Sequence, residues 1–353
     1  VVDGEHPVVI VTGGTAGIGR AAVREFAARG YDVAVLARGT DGLDAAVADV
    51  EKEGRRGLAV PTDVADAAAV DGAARRVEAE LGPIAVWVNN AFTGSITFFE
   101  DLAPDEFRRI TEVTYLGFVN GTRAALRHMV PRGQGVIIQV GSALAFRGLP
   151  LQAAYSGAKH AIVGFTEAVR TELRYRRSPV RLCEVHLPGV NTPQFDEVLH
   201  RGVAHQPRPV APVYQPEVAA RAIAEVARRP RRSTWVGAST VATILANRMA
   251  PWLLDRYLAR TAVPGQEDPA HDPPSSRTNT WQPPAGDLGA HGEFDDEAHA
   301  HSPQAWLTRH RAVALVGGLA LAAGAGAAAL RVPAPRRPFA SRGSVRRRSR
   351  RGW

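Results

Sequence analysis

Along the first 240 positions, apolar residues follow two alternating rhythms. Short apolar or β-branched runs fall at residues 8–11, 31–36, 57–60, 84–88, 135–141, 180–187 and 233–236, each too short for a helix and rich enough in Val, Ile and Leu for a buried strand. Between them the spacing becomes helical. Ala22, Val23, Phe26 and Ala27 recur at three- and four-residue intervals and stop at Gly30, and further helical stretches run to Leu81, from about Pro104 to Met129, and from Ala153 to Arg174. Strand–helix alternation of this kind predicts α/β architecture: a doubly wound parallel sheet with helices on both faces. The alternation ends near residue 260. Residues 261–308 are rich in Pro, Gly, Asp and His without apolar periodicity, which predicts a linker or an arm laid on the body.

The junctions of this pattern carry the candidate chemistry. The run 8–11 leads straight into Thr12-Gly-Gly-Thr-Ala-Gly-Ile-Gly19, and a helix follows. Strand, glycine turn and helix in that order set backbone N–H groups and a helix N-terminus where a diphosphate can bind. Gly13, Gly17 and Gly19 let the turn tighten and the phosphates approach. The second strand ends at Ala37-Arg38 with no acidic residue to bond an adenosine ribose 2′-OH. Arg38 can instead pair with a 2′-phosphate, so NADP is expected ahead of NAD. Thr12, Asp63, Asn89, Ser142 and Pro188 all fall at strand ends, which such a sheet gathers along one ligand-binding edge.

Tyr155 and Lys159 lie one turn apart on the helix from Ala153, and Ser142 ends the strand before it. An ammonium beside a phenol favours phenolate, so the tyrosine pKa is expected below its usual value of about 10. Tyr155 is then a proton donor and acceptor near neutrality, with the Ser142 hydroxyl positioned to bond the same substrate oxygen.

Composition refines this picture at three points. The single cysteine, Cys183, excludes an intrachain disulfide and lies in an apolar run, as a packed thiol does. The net charge of +8 belongs to a tail. Residues 331–353 hold nine arginines and no acid, leaving −1 on the remainder, so no basic binding face is expected on the body. The start carries no signal-peptide pattern, so the body is expected in the cytoplasm. Residues 312–330 are nineteen without a charge, long enough to reach across a bilayer core, though nine are alanine. Together with the arginines they predict association with an anionic membrane surface. No aromatic interleaving supports specific nucleic-acid binding. His291, His299 and His301 lack the cysteine or carboxylate spacing of a metal site, and His200 and His205 are read as solvated.

Residues 8 to about 237 resemble the short-chain dehydrogenase/reductases. The resemblance rests on Thr12-Gly-x-x-x-Gly-Ile-Gly19, Asp63-Val64, Asn89-Asn-Ala91, Ser142 and Tyr155-x-x-x-Lys159. It implies a Rossmann-type fold and hydride transfer between a nicotinamide and a carbonyl or alcohol carbon. Tyr155 would be the acid/base and Ser142 would orient the substrate oxygen. Lys159 would hold the nicotinamide ribose while depressing the tyrosine pKa. Asp63 would contact adenine and Asn89 would brace the sheet. Thr12, Gly13, Thr15, Gly17, Ile18, Gly19, Val64 and Ala91 complete the implied cofactor contacts, with Pro188, Gly189, Val190 and Thr192 at the nicotinamide end. The resemblance also implies a homo-oligomer.

Three departures stand out. Thr114 occupies the place of the family's helix asparagine, which supports a proton path. Phe92 replaces a glycine after Asn-Asn-Ala, either narrowing the nicotinamide side of the pocket or packing outward. The 187–192 loop is one residue short. Residues 192–215 correspond to the family's mobile substrate lid. The expected domains are therefore 1–260 for cofactor binding and catalysis, 261–308 as linker or arm, 309–330 as an apolar helix and 331–353 as the arginine tail. The expected function is NADP-dependent oxidoreduction of a small or medium apolar alcohol or ketone. The reading from a different class is a membrane-associated NADP(H)-binding scaffold or sensor with little turnover.

Overall fold

In the computed structural model, which describes residues 6–273 and 278–310, seven parallel strands form the central sheet. They are β1 (Val8–Thr12), β2 (Asp32–Ala37), β3 (Gly57–Pro61), β4 (Ile84–Asn89), β5 (Val136–Ser142), β6 (Arg181–Leu187) and β7 (Ser233–Trp235). The order across the sheet is β7-β6-β5-β4-β1-β2-β3. The chain winds one way from β1 to β3, then returns beside β1 with β4 and winds the other way. That reversal opens a crevice at the C-terminal ends of β1 and β4.

Alternation along the strands divides the core. Val9 and Val11 of β1 face one layer with Phe26, Leu43 and Ile223. Val8 and Ile10 face the other with Trp87, Met129 and Leu173. All seven expected strands are present, each within one or two residues of its expected limits. The covering helices are α1 (Gly17–Ala28), α2 (Thr40–Lys52), α3 (Ala67–Glu80), α4 (Pro104–Thr111), α5 (Gly117–Arg132), α6 (Ala153–Tyr175) and α7 (Pro216–Arg228). Asp66 caps α3, its carboxylate accepting the N–H groups of Ala68 and Ala69.

The long helix expected over 104–129 is interrupted. Residues Glu112–Leu116 form a π turn between α4 and α5, and Thr114 sits within it.

After β7, helices α8 (Ala238–Met249) and α9 (Pro251–Thr261) precede an extended arm. The arm packs against the body at residues 266–271, where Glu267–Asp268 pair with Gln206–Pro207, and again from Asn279 onward. Asn279 N–H donates to the Glu197 carbonyl, Phe294 N–H to Asn191 Oδ1, and His299 N–H to the Val213 carbonyl. Up to Ala305 the chain is one compact unit; in the second, Trp306 stacks on His310 at 4.4 Å. No helix among the described residues is long and apolar enough to cross a membrane. The 312–330 segment and the arginine tail lie outside the described residues.

Candidate active site and dinucleotide cleft

Conformation explains the glycines at the end of β1. Gly13 has φ +64°, and a Cβ there would lie 2.7 Å from the Ala91 backbone. At Gly19 a Cβ would meet the Gly13 carbonyl at 2.0 Å. The turn can therefore fold back on the start of α1 only with hydrogen at both positions. Asn90 fastens it: its side-chain amide donates to the Thr12 and Gly13 carbonyls, both at 3.1 Å, and its N–H donates to Thr12 Oγ1 at 2.9 Å. Asn90 was not singled out in the sequence, although the Asn-Asn doublet was a signal for it.

A cleft of about 1120 Å³, its open mouth included, runs from this turn along the ends of β1, β2 and β3. Gly13, Thr15, Gly17, Ile18, Gly19, Arg38, Asp63, Val64, Ala91 and Thr192 line it. The first N–H groups of α1 have no partner within the helix and belong to its wall. Such a cradle fits a diphosphate, and the cleft's length beside β2 and β3 fits the adenosine half of a dinucleotide.

Side chains at the adenosine end are already engaged. Asp63 accepts from Ala65 N–H at 3.0 Å and from Arg109 Nη2 at 2.6 Å. Burial raises its pKa, but these partners and nearby Arg38 outweigh burial and hold it below the usual carboxylate range. Arg38 donates to the carbonyls of Asn279, Thr280 and Trp281 in the arm. Burial and neighbouring Arg109 lower its pKa, against the pull of Asp63.

The second cavity, about 1690 Å³ including its mouth, opens where β4, β5 and β6 end. Ser142, Tyr155, Lys159, Pro188, Gly189, Val190 and Thr192 line it, with Ile96, Leu144, Leu149, Phe195, Leu254 and Leu258 among its apolar walls. Asn90, Phe92, Thr192 and Asn279 border both cavities. The serine–tyrosine–lysine set lines the second cavity, beside the shared Phe92. Phe92 turns inward: its ring meets Tyr155 edge-on at 5.6 Å and lies 5.8 Å from Lys159 Nζ.

The electrostatics of Tyr155 and Lys159 reverse the expectation. Lys159 Nζ donates to the Val140 carbonyl at 2.8 Å, sits 4.6 Å from the Phe118 ring centroid, and is 5.5 Å from the Tyr155 ring centroid. Burial lowers its pKa to about 7. Tyr155 is partly exposed as a residue, yet its phenol is enclosed by protein, and burial pushes its pKa up to about 12 against the lowering hydrogen bond of Ser142. Burial thus opposes charge on both groups and weighs against the phenolate that the helical spacing predicts.

Other residues find structural work. Asn89 braces the sheet as expected, accepting from Trp87 Nε1 at 2.8 Å and donating to Gln139 Oε1 at 2.9 Å. Thr114, fully buried, donates to the Thr93 carbonyl at 2.6 Å and accepts from Thr93 N–H at 3.0 Å. It fixes the loop that carries Phe92 and reaches neither cavity. Asn120 faces away, its amide holding the Val64 carbonyl at 2.9 Å. Val190 pairs with Tyr214 in a short parallel ladder, and Thr192 Oγ1 donates to the Val190 carbonyl at 3.5 Å. His291 pairs with Glu217 and Asp295, and among the described residues no group of three such side chains is arranged to hold a metal ion.

Residues 7–201 match the family model described as short chain dehydrogenase. The chain belongs to the short-chain dehydrogenase/reductase family. It is an oxidoreductase acting on CH–OH or C=O groups with a nicotinamide dinucleotide. An uncharacterised oxidoreductase of Bacillus subtilis (strain 168) is 31% identical over 255 residues, spanning 72% of this chain and 71% of that protein. The 2,3-dihydro-2,3-dihydroxybenzoate dehydrogenase of the same organism is 34% identical over 169 residues, 48% of this chain and 65% of the relative. Among solved structures, a short-chain dehydrogenase/reductase from Burkholderia phymatum in complex with NAD superposes with a TM-score of 0.63 at 20% identity. It covers 74% of this chain and 98% of its own, a likeness of fold. An alcohol dehydrogenase from Thermococcus sibiricus complexed with 5-hydroxy-NADP gives 0.54 at 25% identity, over 66% and 95%.

Proposed function

We propose that this short-chain dehydrogenase/reductase interconverts an apolar alcohol and its ketone or aldehyde, with Tyr155 as acid/base. The observation that carries the reading is the convergence of Ser142, Tyr155 and Lys159 on the wall of an apolar cavity that shares Asn90, Phe92 and Thr192 with the dinucleotide cleft. When bound, the dinucleotide supplies the hydride and the electron pair it carries. The glycine turn, the start of α1 and Thr192 hold its diphosphate and nicotinamide end, and Val64 and Asp63 border its adenine. Phe92 and the cavity walls exclude water and select apolar substrates of small to medium size. With a pKa of about 12, the Tyr155 phenol keeps its proton at neutral pH, which suits donation to a carbonyl oxygen during reduction. Ser142 is placed to bond that same oxygen.

NADP is the proposed cofactor. Arg38 and Arg109 against the single carboxylate of Asp63 leave one positive charge at the adenosine end, as a 2′-phosphate requires. The NAD and 5-hydroxy-NADP bound by the two structural relatives are compatible with either choice. The body works where NADPH is made, in the cytoplasm, and the 312–353 extension is proposed to meet an anionic membrane surface.

Self-association is proposed through α5 and α6. Their outer faces share an apolar groove lined by Val119, Leu126, Val130, Phe165 and Val169.

A panel of apolar ketones with NADPH tests the chemistry. Tyr155→Phe is expected to retain NADPH binding and to lose at least 100-fold in kcat. Equal rates in the two proteins would remove the assigned mechanism.

A further inference from the structure

The dinucleotide cleft has a wall that lies outside the matched family region. Residues Asn279, Pro283, Pro284, Gly286 and Leu288 of the arm line it opposite Arg38, Asp63 and the glycine turn. We infer that residues 279–289 are a cofactor clasp, a built part of the dinucleotide site that sets how fast the cofactor enters and leaves. The inference rests on the oxidoreductase reading above.

Among the hydrogen bonds that hold this segment, four sets grip parts of the cofactor cradle. Arg38 donates to the carbonyls of residues 279–281. Gly286 N–H donates to Asp41 Oδ2 at 3.2 Å, in the first turn of α2. Asp287 accepts from Arg20 Nη1 at 2.9 Å, and that same Nη1 bonds the Thr15 carbonyl of the glycine turn. Gly17 N–H, the first of α1, donates to the Gly289 carbonyl at 3.0 Å. Arg20 is only 2% exposed, so Asp287 completes the pairing of a buried guanidinium that Asp49 alone shares from the body.

The segment spans the cleft and leaves it open beneath. The adenosine-end residues Leu36, Val64 and Val113 and the glycine turn still face the same free space as the arm, so the segment roofs the site and does not plug it. A dinucleotide lying along the cleft therefore has protein on both sides, and its exchange requires the roof to lift.

Lifting is cheap for a local reason. From Trp281 to Gly289 no residue is buried, and hydrogen bonds rather than apolar contacts hold the stretch. The following residues are anchored by buried Ala290 and Phe294 and by Asn191, whose side chain bonds both Phe294 N–H and Asp295. A weakly packed span beside a fixed anchor opens locally without unfolding the body. At Arg38 the clasp and a 2′-phosphate would meet the same donors, so NADP and NAD should differ in their release rates.

A reversible lock tests this in the full-length protein. A Cβ on Gly39 would lie 3.2 Å from Pro283 Cβ, a few tenths of an ångström short of the disulfide range of about 3.5–4.5 Å, a gap that a small shift of the arm closes. Cys183 is buried and leaves the engineered pair undisturbed. In Gly39→Cys with Pro283→Cys, oxidation after loading with NADPH or NADH is expected to slow release at least tenfold. Release is followed by the fluorescence of the bound nicotinamide, and dithiothreitol should restore the rate. Oxidation before loading should slow entry likewise. Equal exchange in the oxidised and reduced protein would overturn the clasp. If the bridge does not form, Asp287→Ala in the native chain is expected to speed release at least threefold and to end the cofactor's protection of residues 281–289 from protease. An unchanged rate with unchanged cleavage would overturn it too. Failure of the wild type to bind either dinucleotide would remove the oxidoreductase reading along with the clasp; binding with indifferent release removes the clasp alone.

Discussion

Lys159 and Tyr155 are one helical turn apart, and burial drives them in opposite directions: the amine falls to about 7 while the phenol rises to about 12. Both shifts disfavour charge in an enclosed site. His186 follows the same rule without any role in the proposed chemistry. It lies on β6 with its ring 4.7 Å from that of Phe146, and burial, with Lys159 and Arg170 nearby, lowers its pKa to about 4. The unfolded chain would protonate this imidazole near pH 6.5, so between pH 6.5 and 4 it binds a proton that the folded protein refuses. Stability is therefore lost as pH falls through that window, by on the order of 3 kcal/mol from this residue. His186→Gln should flatten the fall, measured as the difference in urea-unfolding free energy between pH 7 and pH 4. Parallel curves for the variant and wild type would show that the ring titrates normally.

At the scale of elements, the π turn at Glu112–Leu116 decides where Thr114 points. Regular helical spacing would carry residues 104–129 as one rod. The extra residue in the turn sets the threonine against the Thr93 main chain, and Thr93 Oγ1 in turn donates to Asn279 Oδ1 at 2.8 Å. One hydroxyl thus steadies the Phe92 loop, and through it the start of the clasp. Thr114→Val keeps the shape and strands the buried Thr93 N–H. The expected cost is about 1–3 kcal/mol in denaturant unfolding, with a rise in KM for apolar ketones that exceeds the change in kcat. A variant with altered kcat and unaltered KM would instead place the threonine on a proton path.

For the molecule as a whole, the family region supplies the sheet and the chemistry, while residues 238–302 add a wall to each cavity. Leu254 and Leu258 of α9 close the apolar cavity, and the arm closes the dinucleotide cleft. The proposed assembly uses a different surface, the α5–α6 groove rimmed by Arg123, Arg127, Glu172 and Arg176. Phe165→Glu puts a carboxylate into that groove and is expected to reduce the mass seen by light scattering to that of a monomer. A wild-type protein already monomeric, or a variant of unchanged mass, would remove this interface.

Local chemistry was legible in the order of residues. Strand periodicity and the glycine turn depend on neighbours within a few positions, and the seven strands and the turn stand where that pattern predicts them, although the 104–129 helix does not run unbroken. What only the tertiary structure decided depends on groups far apart in the chain. Arg38 reads in the sequence only as a phosphate ligand; the fold also brings it the carbonyls of residues 279–281, 241 positions or more downstream. Lys159 reads as the cation that would acidify Tyr155 until the fold buries it and turns its N–H to the Val140 carbonyl. Charge state follows from the dielectric and the partners around a group, and both are set by packing that periodicity does not encode.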